Sequence, residues 1–282
     1  MKSRRDFLKA GVAFAGMAAL GLGARAAVVG SKKIPVGIQL FSFREQANAG
    51  FDGILKKAAE IGFSGVEFAG YGPYGSKPAE LKKVLDDLGL KAFGTHTGFG
   101  AFQPDNLQRT MDFHKALGCN YIIIPGMGEE QLSTKDACLK TAEFLSGVTE
   151  KLQKEGLHTG YHAHGGDFKK VDGALTAWEV LFDNTPKAFV HQIDIGNAFD
   201  GNDPERPFRL IERYPGRSLS VHLKEHGGPR GAVFGEGKVD FKKSISLCES
   251  VGGTTCFIVE HETDTANAYE CATKCLNYLK AL

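Results

Sequence analysis

Residues 106–126 read NLQRTMDFHKALGCNYIIIPG and contain both kinds of segment from which the fold is built. Apolar residues recur at helical spacing over residues 106–117, Gly118 follows as a helix stop, and a β-branched run begins at Tyr121. Apolar residues at i, i+3 and i+4 are typical of an amphipathic helix, and a short apolar run is typical of a buried strand. This stretch therefore predicts one helix followed by one strand.

The same pattern recurs along the chain. Strands are predicted at residues 36–42, 65–70, 91–97, 121–126, 157–164, 188–195, 219–224 and 257–262. Their starts lie 26 to 38 residues apart, which leaves room for one helix after each strand. Eight such units predict an α/β fold, a single-domain (β/α)8 TIM barrel over residues 27–282. A doubly wound sheet is the alternative, but FSFREQANAG, after the first strand, lacks the glycine-rich phosphate loop of that fold.

The N-terminus has the pattern of an export signal. Residues 3–9 read SRRDFLK, an Ala/Gly-rich run follows to Gly23, and residues 24–26 form an A-x-A processing site. This combination predicts a twin-arginine (Tat) signal peptide over residues 1–26 and a periplasmic location. The apolar run is too short and glycine-rich for a stable membrane span. No cysteine follows the cleavage site directly, so no membrane anchor is expected.

Charge and cysteine usage narrow the function classes. The formal net charge is +1, and it becomes −3 without residues 1–26, which carry five basic residues and one acid. A nucleic-acid binder would show a basic excess or stripe, so no nucleic-acid partner is expected. The six cysteines fit no zinc motif and are expected mostly as small buried hydrophobic residues, with any disulfide pairing left open.

Titratable side chains stand at the predicted C-terminal ends of most strands. They are Glu67, His96, His162, His164, Asp194, His222 and Glu260. Because the C-terminal ends of barrel strands surround one opening, these side chains are expected to converge there. Each alone is more often structural, but His, Asp, His and Glu from four consecutive strands form a ligand set suited to Mn, Zn, Co or Fe. The sequence therefore predicts one divalent metal ion.

Five short motifs occur in order in the second half of the chain. They are YHAH (161–164), IDIGN (193–197), VHLKE (221–225), GEGKVDF (235–241) and IVEHE (258–262). In this combination the chain resembles the xylose-isomerase-like barrel superfamily of sugar phosphate isomerases and epimerases, in a branch similar to inosose dehydratases. The resemblance implies a carbohydrate substrate, a possible homo-oligomer, and a metal held by His162, Asp194, His222 and Glu260.

The fifth strand departs from the pattern of many relatives, which read Leu-Glu-Asn-His there. When that motif is aligned with residues 161–164, His162 stands where the relatives have a metal-binding glutamate. His164 stands where they have a histidine that faces the substrate. Side chains two residues apart on a strand share one side, so spacing alone leaves His164 open as the ligand. The resemblance implies two metal-bound glutamates in relatives that epimerise or isomerise sugars, and this chain retains only Glu260. This departure favours an asymmetric reaction over epimerisation. That reaction is α-proton abstraction, a metal-stabilised enolate and loss of a β-substituent.

Further residues complete the expected site. Glu260, His164 and Lys224 are the candidate catalytic residues, and Lys224 lies two positions after His222, on the same side of the strand. The candidate substrate contacts are Glu67, His96, Asp167, Asn197 and Glu236. The leading hypothesis is a metal-dependent dehydratase, lyase, isomerase or epimerase acting on a keto-sugar or cyclitol, with a 3-keto-glycoside as one candidate substrate. The alternatives are a periplasmic sugar-binding barrel without turnover and, with less support, an apurinic-site endonuclease.

Overall fold

The computed structural model describes residues 26–46, 49–199, 203–262, 264 and 266–282. Apart from Ala26, the predicted signal peptide lies outside these residues. No helix in the described part of the chain combines the length and the hydropathy needed to cross a bilayer.

Eight parallel strands form the barrel. They are β1 (Ile34–Gln39), β2 (Gly65–Phe68), β3 (Lys91–His96), β4 (Tyr121–Ile124), β5 (His158–His162), β6 (Val190–Gln192), β7 (Ser220–Leu223) and β8 (Cys256–Val259). Their order is β7-β8-β1-β2-β3-β4-β5-β6, and a parallel bridge between Asp194 and His222 joins the two ends. The predicted (β/α)8 barrel is confirmed.

A helix follows each strand on the outside of the barrel. The eight are α1 (Gly50–Ile61), α2 (Pro78–Leu88), α3 (Pro104–Leu117), α4 (Lys135–Lys154), α5 (Ala177–Asp183), α6 (Arg206–Arg213), α7 (Phe241–Leu247) and α8 (Ala268–Ala281). The glycines predicted to end α1, α2 and α3 have left-handed φ values of 100°, 68° and 74°, which suits a residue without a side chain. The stop predicted at Gly252 is one residue early, because a wide turn over Cys248–Gly252 extends α7 and Gly253 is left-handed.

The chain also forms short strands outside the eight-stranded barrel. A two-residue strand, Val28–Val29, pairs antiparallel with β1. A small ribbon of Lys170–Asp172 and Leu175–Thr176 lies between β5 and α5. All six cysteines are buried and unpaired, as expected for small hydrophobic residues.

The barrel interior changes from apolar to polar along its axis. Phe93, Cys256 and Ile258 form a small apolar cluster inside the barrel. Further along, towards the C-terminal ends of the strands, Glu67 of β2 points into the interior at the level of Gly94 on β3. A Cβ atom on Gly94 would lie 2.5 Å from Oε1 of Glu67, so the carboxylate occupies space that only a glycine leaves free. This polar level carries the side chains described next.

Candidate functional site

The four predicted metal ligands meet inside the barrel. His162, Asp194, His222 and Glu260 each offer one ligand atom within 4.8 Å of the others, and all four residues are buried. They come from the ends of β5, β6, β7 and β8, as the convergence of parallel strands predicts. Two nitrogen and two oxygen donors at this separation can surround a single divalent ion.

The two histidines of the YHAH motif, His162 at the end of β5 and His164 just after it, occupy different environments. His162 is 1% exposed, and its Nδ1 donates to Oε1 of Gln192 at 3.0 Å. Burial holds the pKa of His162 well below its usual value, so the ring is neutral and Nε2 carries the lone pair. His164 is exposed at the rim, with its ring centroid 4.8 Å from that of His162. The structure therefore brings His162, and not His164, into the four-residue cluster.

Asp194 has one carboxylate oxygen that lacks a partner. Oδ1 accepts from the backbone N–H of Asn197 at 2.8 Å and caps the short helix Ile195–Ala198. Oδ2 is buried without a hydrogen bond among the described residues. Burial raises the pKa of Asp194 to about 7. A buried oxygen of this kind is costly unless it is protonated or binds a cation, so the donor set fits a divalent ion.

His222 lies between two carboxylates. Its Nε2 donates to Oε2 of Glu67 at 2.6 Å, and its Nδ1 contacts Oε2 of Glu260 at 2.5 Å. Although burial disfavours the charge, the two carboxylates raise the pKa of His222 to about 10. The same contacts lower the pKa of Glu260 to about 2 against the effect of its burial. An ion bound at Nδ1 would replace the proton there, while Glu67 would keep the ring oriented.

Glu67 lies beneath the metal-ligand cluster rather than at its open side. Its side chain is fully buried and accepts from Nε2 of Gln39 and Nε2 of Gln192, each at 2.8 Å, in addition to His222. His96 approaches the same carboxylate at 3.0 Å. Burial opposes ionisation, but the two histidines hold the pKa of Glu67 well below its usual value. Glu67 is predicted above as a substrate contact, and here its carboxylate is bonded to His222 of the cluster and to Gln39, Gln192 and His96 around it.

Sequence reasoning missed two amides in this network. Gln192 uses its Oε1 to accept from His162 and His96, both at 3.0 Å, and its Nε2 to donate to Glu67. Gln39 donates to Glu67 from the end of β1. The available signal for Gln192 was its position two residues before Asp194, on the same side of the strand. Gln39 lies in the middle of the predicted strand 36–42 and gave no such signal.

Lys224 lies at the mouth of the barrel with a carboxylate on each side. Its Nζ pairs with Glu262 and lies 3.9 Å from Oε1 of Glu260. Burial works against the charge, but Asp194, Glu260 and Glu262 raise the pKa of Lys224, so it carries an ammonium group. Glu262 was not predicted, although it stands two residues after Glu260.

The remaining predicted contacts lie around this centre. Oδ1 of Asp167 accepts from Tyr161 Oη and its Oδ2 from the His164 N–H, both at 2.8 Å, so it holds the turn that carries His164. Asn197 donates to the carbonyl of Ala163 at 3.0 Å. Glu236 is exposed and accepts from the Val233 N–H at 3.0 Å, within its own loop.

Asp167 is expected to make stability depend on pH. Burial raises its pKa to about 6, so the folded protein binds this proton more tightly than the unfolded chain. Stability should therefore decrease as pH rises from about 4 to about 6, by on the order of 2 kcal/mol. In Asp167→Asn the amide can accept from His164 and donate to Tyr161, so the variant should lose less stability than the wild type by this amount, while the contribution of Asp194 over the same pH interval remains. Urea unfolding of both proteins at pH 4.5 and 7.5 measures the decrease in stability. An equal decrease in both proteins would contradict the assignment of this proton to Asp167.

The site can be compared with known proteins. A family model described as the xylose isomerase-like TIM barrel matches residues 55–281. An inosose dehydratase from Klebsiella pneumoniae is 25% identical over 271 residues, covering 82% of this chain and 89% of that enzyme. A sugar phosphate isomerase/epimerase from Parabacteroides distasonis has a similar structure, with a TM-score of 0.71, 21% identity, and coverage of 88% of this chain and 96% of that one.

An L-ribulose 3-epimerase shares the fold with a TM-score of 0.65 and 17% identity, covering 88% of this chain and 94% of that one. At these identities the structural matches establish the architecture alone. The family model spans most of the chain, including all four residues of the metal-ligand cluster. The chain therefore belongs to the xylose isomerase-like TIM barrel family.

Proposed function

We propose that this chain is a metal-dependent lyase that acts on a keto-sugar or cyclitol outside the cytoplasm. It would remove the proton next to the carbonyl and expel the substituent on the following carbon. The observation that carries the proposal is the unpartnered Oδ2 of Asp194 within a buried cluster of two imidazoles and two carboxylates. The sugar chemistry is supported by relatives named as an inosose dehydratase and an epimerase, and export by the twin-arginine pattern.

Each imidazole of the cluster has one ring nitrogen held by a supporting side chain and the other directed into the cluster. His162 would offer Nε2, because its Nδ1 donates to Gln192, and His222 would offer Nδ1, because its Nε2 donates to Glu67. Asp194 and Glu260 would supply the two oxygens. A divalent ion bound there supplies Lewis acidity towards a substrate carbonyl. Glu67 and Gln192 act as positioning residues, since they fix the two rings.

His164 is the base that the surroundings favour. Partial burial lowers its pKa, so its imidazole is neutral and can accept a proton, and the residue reaches solvent at the rim next to His162. Glu260 is a weaker base, because His222 holds its pKa at about 2. Of these two side chains, His164 is therefore the better proton acceptor.

Lys224 is suited to the opposite task. Its raised pKa keeps it as an ammonium, which can donate a proton to an oxygen that leaves the substrate. A neutral histidine with an ammonium differs from the pair of bases that symmetric epimerisation needs. This asymmetry supports elimination.

Deuterium uptake tests the reaction. The metal-loaded protein is incubated with keto-sugars and a keto-cyclitol in heavy water and followed by NMR. We expect metal-dependent exchange of the hydrogen next to the carbonyl together with an unsaturated product. Exchange without elimination would instead support an isomerase or epimerase. A protein that binds these compounds without metal and without exchange would support a sugar-binding barrel.

His162 and His164 offer a matched pair of variants. His164→Gln should lower the exchange rate by roughly 10²- to 10⁴-fold, the usual loss for a general base, and keep its metal. His162→Gln should lose the metal and the exchange together, because it removes a ligand. Metal content and exchange are measured on both proteins. Metal loss in His164→Gln with retention in His162→Gln would reverse the assignment.

A further inference from the structure

A cavity opens directly beside Lys224. It lies between the loop at residues 227–232 and the residues that follow β8, with a volume of about 370 Å³. Six of its lining residues matter for the argument, namely Lys224, Gly228, Arg230, Ala232, Glu260 and Glu262. Since Lys224 and Glu260 belong to the proposed active site, the cavity is an extension of that site.

The wall of the cavity is held in place by the chain itself. Oε1 of Glu225 accepts from the backbone N–H of Val239 at 3.0 Å, and Oε2 accepts from that of Gly235 at 2.9 Å. Gly228 has a φ of 83°, and a Cβ atom there would lie 2.6 Å from the carbonyl oxygen of Glu236. The loop therefore has a defined shape, and the cavity does not need a ligand to form.

The volume of the cavity discriminates between leaving groups. A water molecule takes up about 30 Å³ in the liquid, so the cavity is roughly twelve times larger than dehydration requires. Its volume falls instead in the range of about 300–1,000 Å³ that is usual for sites binding small organic molecules. The ammonium of Lys224, the guanidinium of Arg230 and the carboxylate of Glu262 line it, and these groups can exchange hydrogen bonds with hydroxyl groups.

We propose that this cavity holds the leaving substituent, and that the substituent is a sugar-sized, oxygen-linked group rather than a hydroxyl. The inference rests on the proposed function and specifies its substrate class, a keto-sugar glycoside. His164 takes the proton from the carbon next to the carbonyl, and a double bond forms between that carbon and the next. The carbon–oxygen bond to the substituent breaks, its electron pair stays on the oxygen, and the oxygen takes a proton from Lys224. Water then returns a proton from His164 to Lys224.

A substrate series tests the inference. It consists of 3-ketohexoses whose C1 oxygen carries hydrogen, methyl or glucosyl, so that C2 holds the acidic hydrogen and C1 the leaving group. We expect kcat/KM for elimination to be at least roughly tenfold higher with glucosyl than with hydrogen or methyl. Ala232→Phe fills the cavity and should lower the ratio of glucosyl to methyl by about tenfold. Lys238→Phe, in the same connection between β7 and α7 but outside the cavity lining, should keep the wild-type ratio.

Arg230→Ala provides a second variant at an exposed position, where folding is not at risk. It should raise KM for the glucosyl compound by roughly tenfold relative to the methyl compound. If deuterium exchange and elimination occur at rates that do not depend on substituent size, in the wild type and in the variants, this inference alone is wrong. Absence of exchange with every ketone would overturn the proposed function and this inference with it.

Discussion

Asp194→Asn should lose tight divalent-metal binding and at the same time stabilise the metal-free protein. The substitution removes one of four ligands, so the loss of affinity should exceed the roughly 10- to 100-fold typical of residues that only support a ligand. Without metal, the wild-type carboxylate is buried with an unpartnered oxygen and a pKa of about 7. Its folded pKa lies above the unfolded value, so ionisation reduces stability as pH rises from about 4 to about 7. The amide does not ionise and avoids this cost.

Metal titration with a competing chelator and urea unfolding at pH 8 measure the two effects of Asp194→Asn. The metal-free variant should gain on the order of 2–4 kcal/mol over metal-free wild type. Asp87→Asn is the control, because its carboxylate is exposed in an ion pair with Lys83. Retention of metal by Asp194→Asn would exclude this residue as a ligand.

Glu67→Ala should cause the largest loss of stability, about 3–5 kcal/mol, since it removes the buried anion that pairs with His222. It also leaves the amides of Gln39 and Gln192 without their shared acceptor. Glu67→Gln keeps the shape and one acceptor oxygen and should lose less. Both should weaken metal binding by about 10- to 100-fold, because His222 loses its orientation.

Urea unfolding of the metal-free proteins separates the effect of Glu67 on stability from its effect on metal binding. Glu80→Ala is the control, because Glu80, in α2, forms an exposed ion pair with Lys77, the residue before that helix. Wild-type metal affinity in Glu67→Gln would mean that His222 is oriented without this carboxylate. Equal losses of stability in both Glu67 variants would locate the effect in the charge rather than in the hydrogen bonds.

The strands, the helices and the four metal-ligand candidates could be predicted from the sequence because their signals are local. A helix such as α3 shows its period and its glycine stop within one stretch, and the ends of parallel strands must meet. The height of a side chain along the barrel axis could not be predicted in this way. Glu67 pairs with Gly94, two residues before His96, across a register shift between β2 and β3. This stagger puts Glu67 below the site, and it depends on strand pairing that no single strand encodes.

The amides were missed for another reason. Gln39 and Gln192 carry no charge, so a search for titratable strand ends passes over them. Their role follows only once Glu67 is known to be an ionised carboxylate that needs donors. Glu262 stands at the end of the predicted strand 257–262, but it was missed because its role depends on the ion pair with Lys224, which comes from the end of another strand.

The close approach of Gly94 to Glu67 links two positions that lie on different strands. A methyl group at position 94 would collide with the carboxylate, and the displaced carboxylate would release His222 and both glutamines. Neither residue can then change alone without disturbing the metal-ligand cluster. Across related sequences, residues 67 and 94 should covary, with any side chain larger than hydrogen at 94 accompanied by a shorter residue than glutamate at 67.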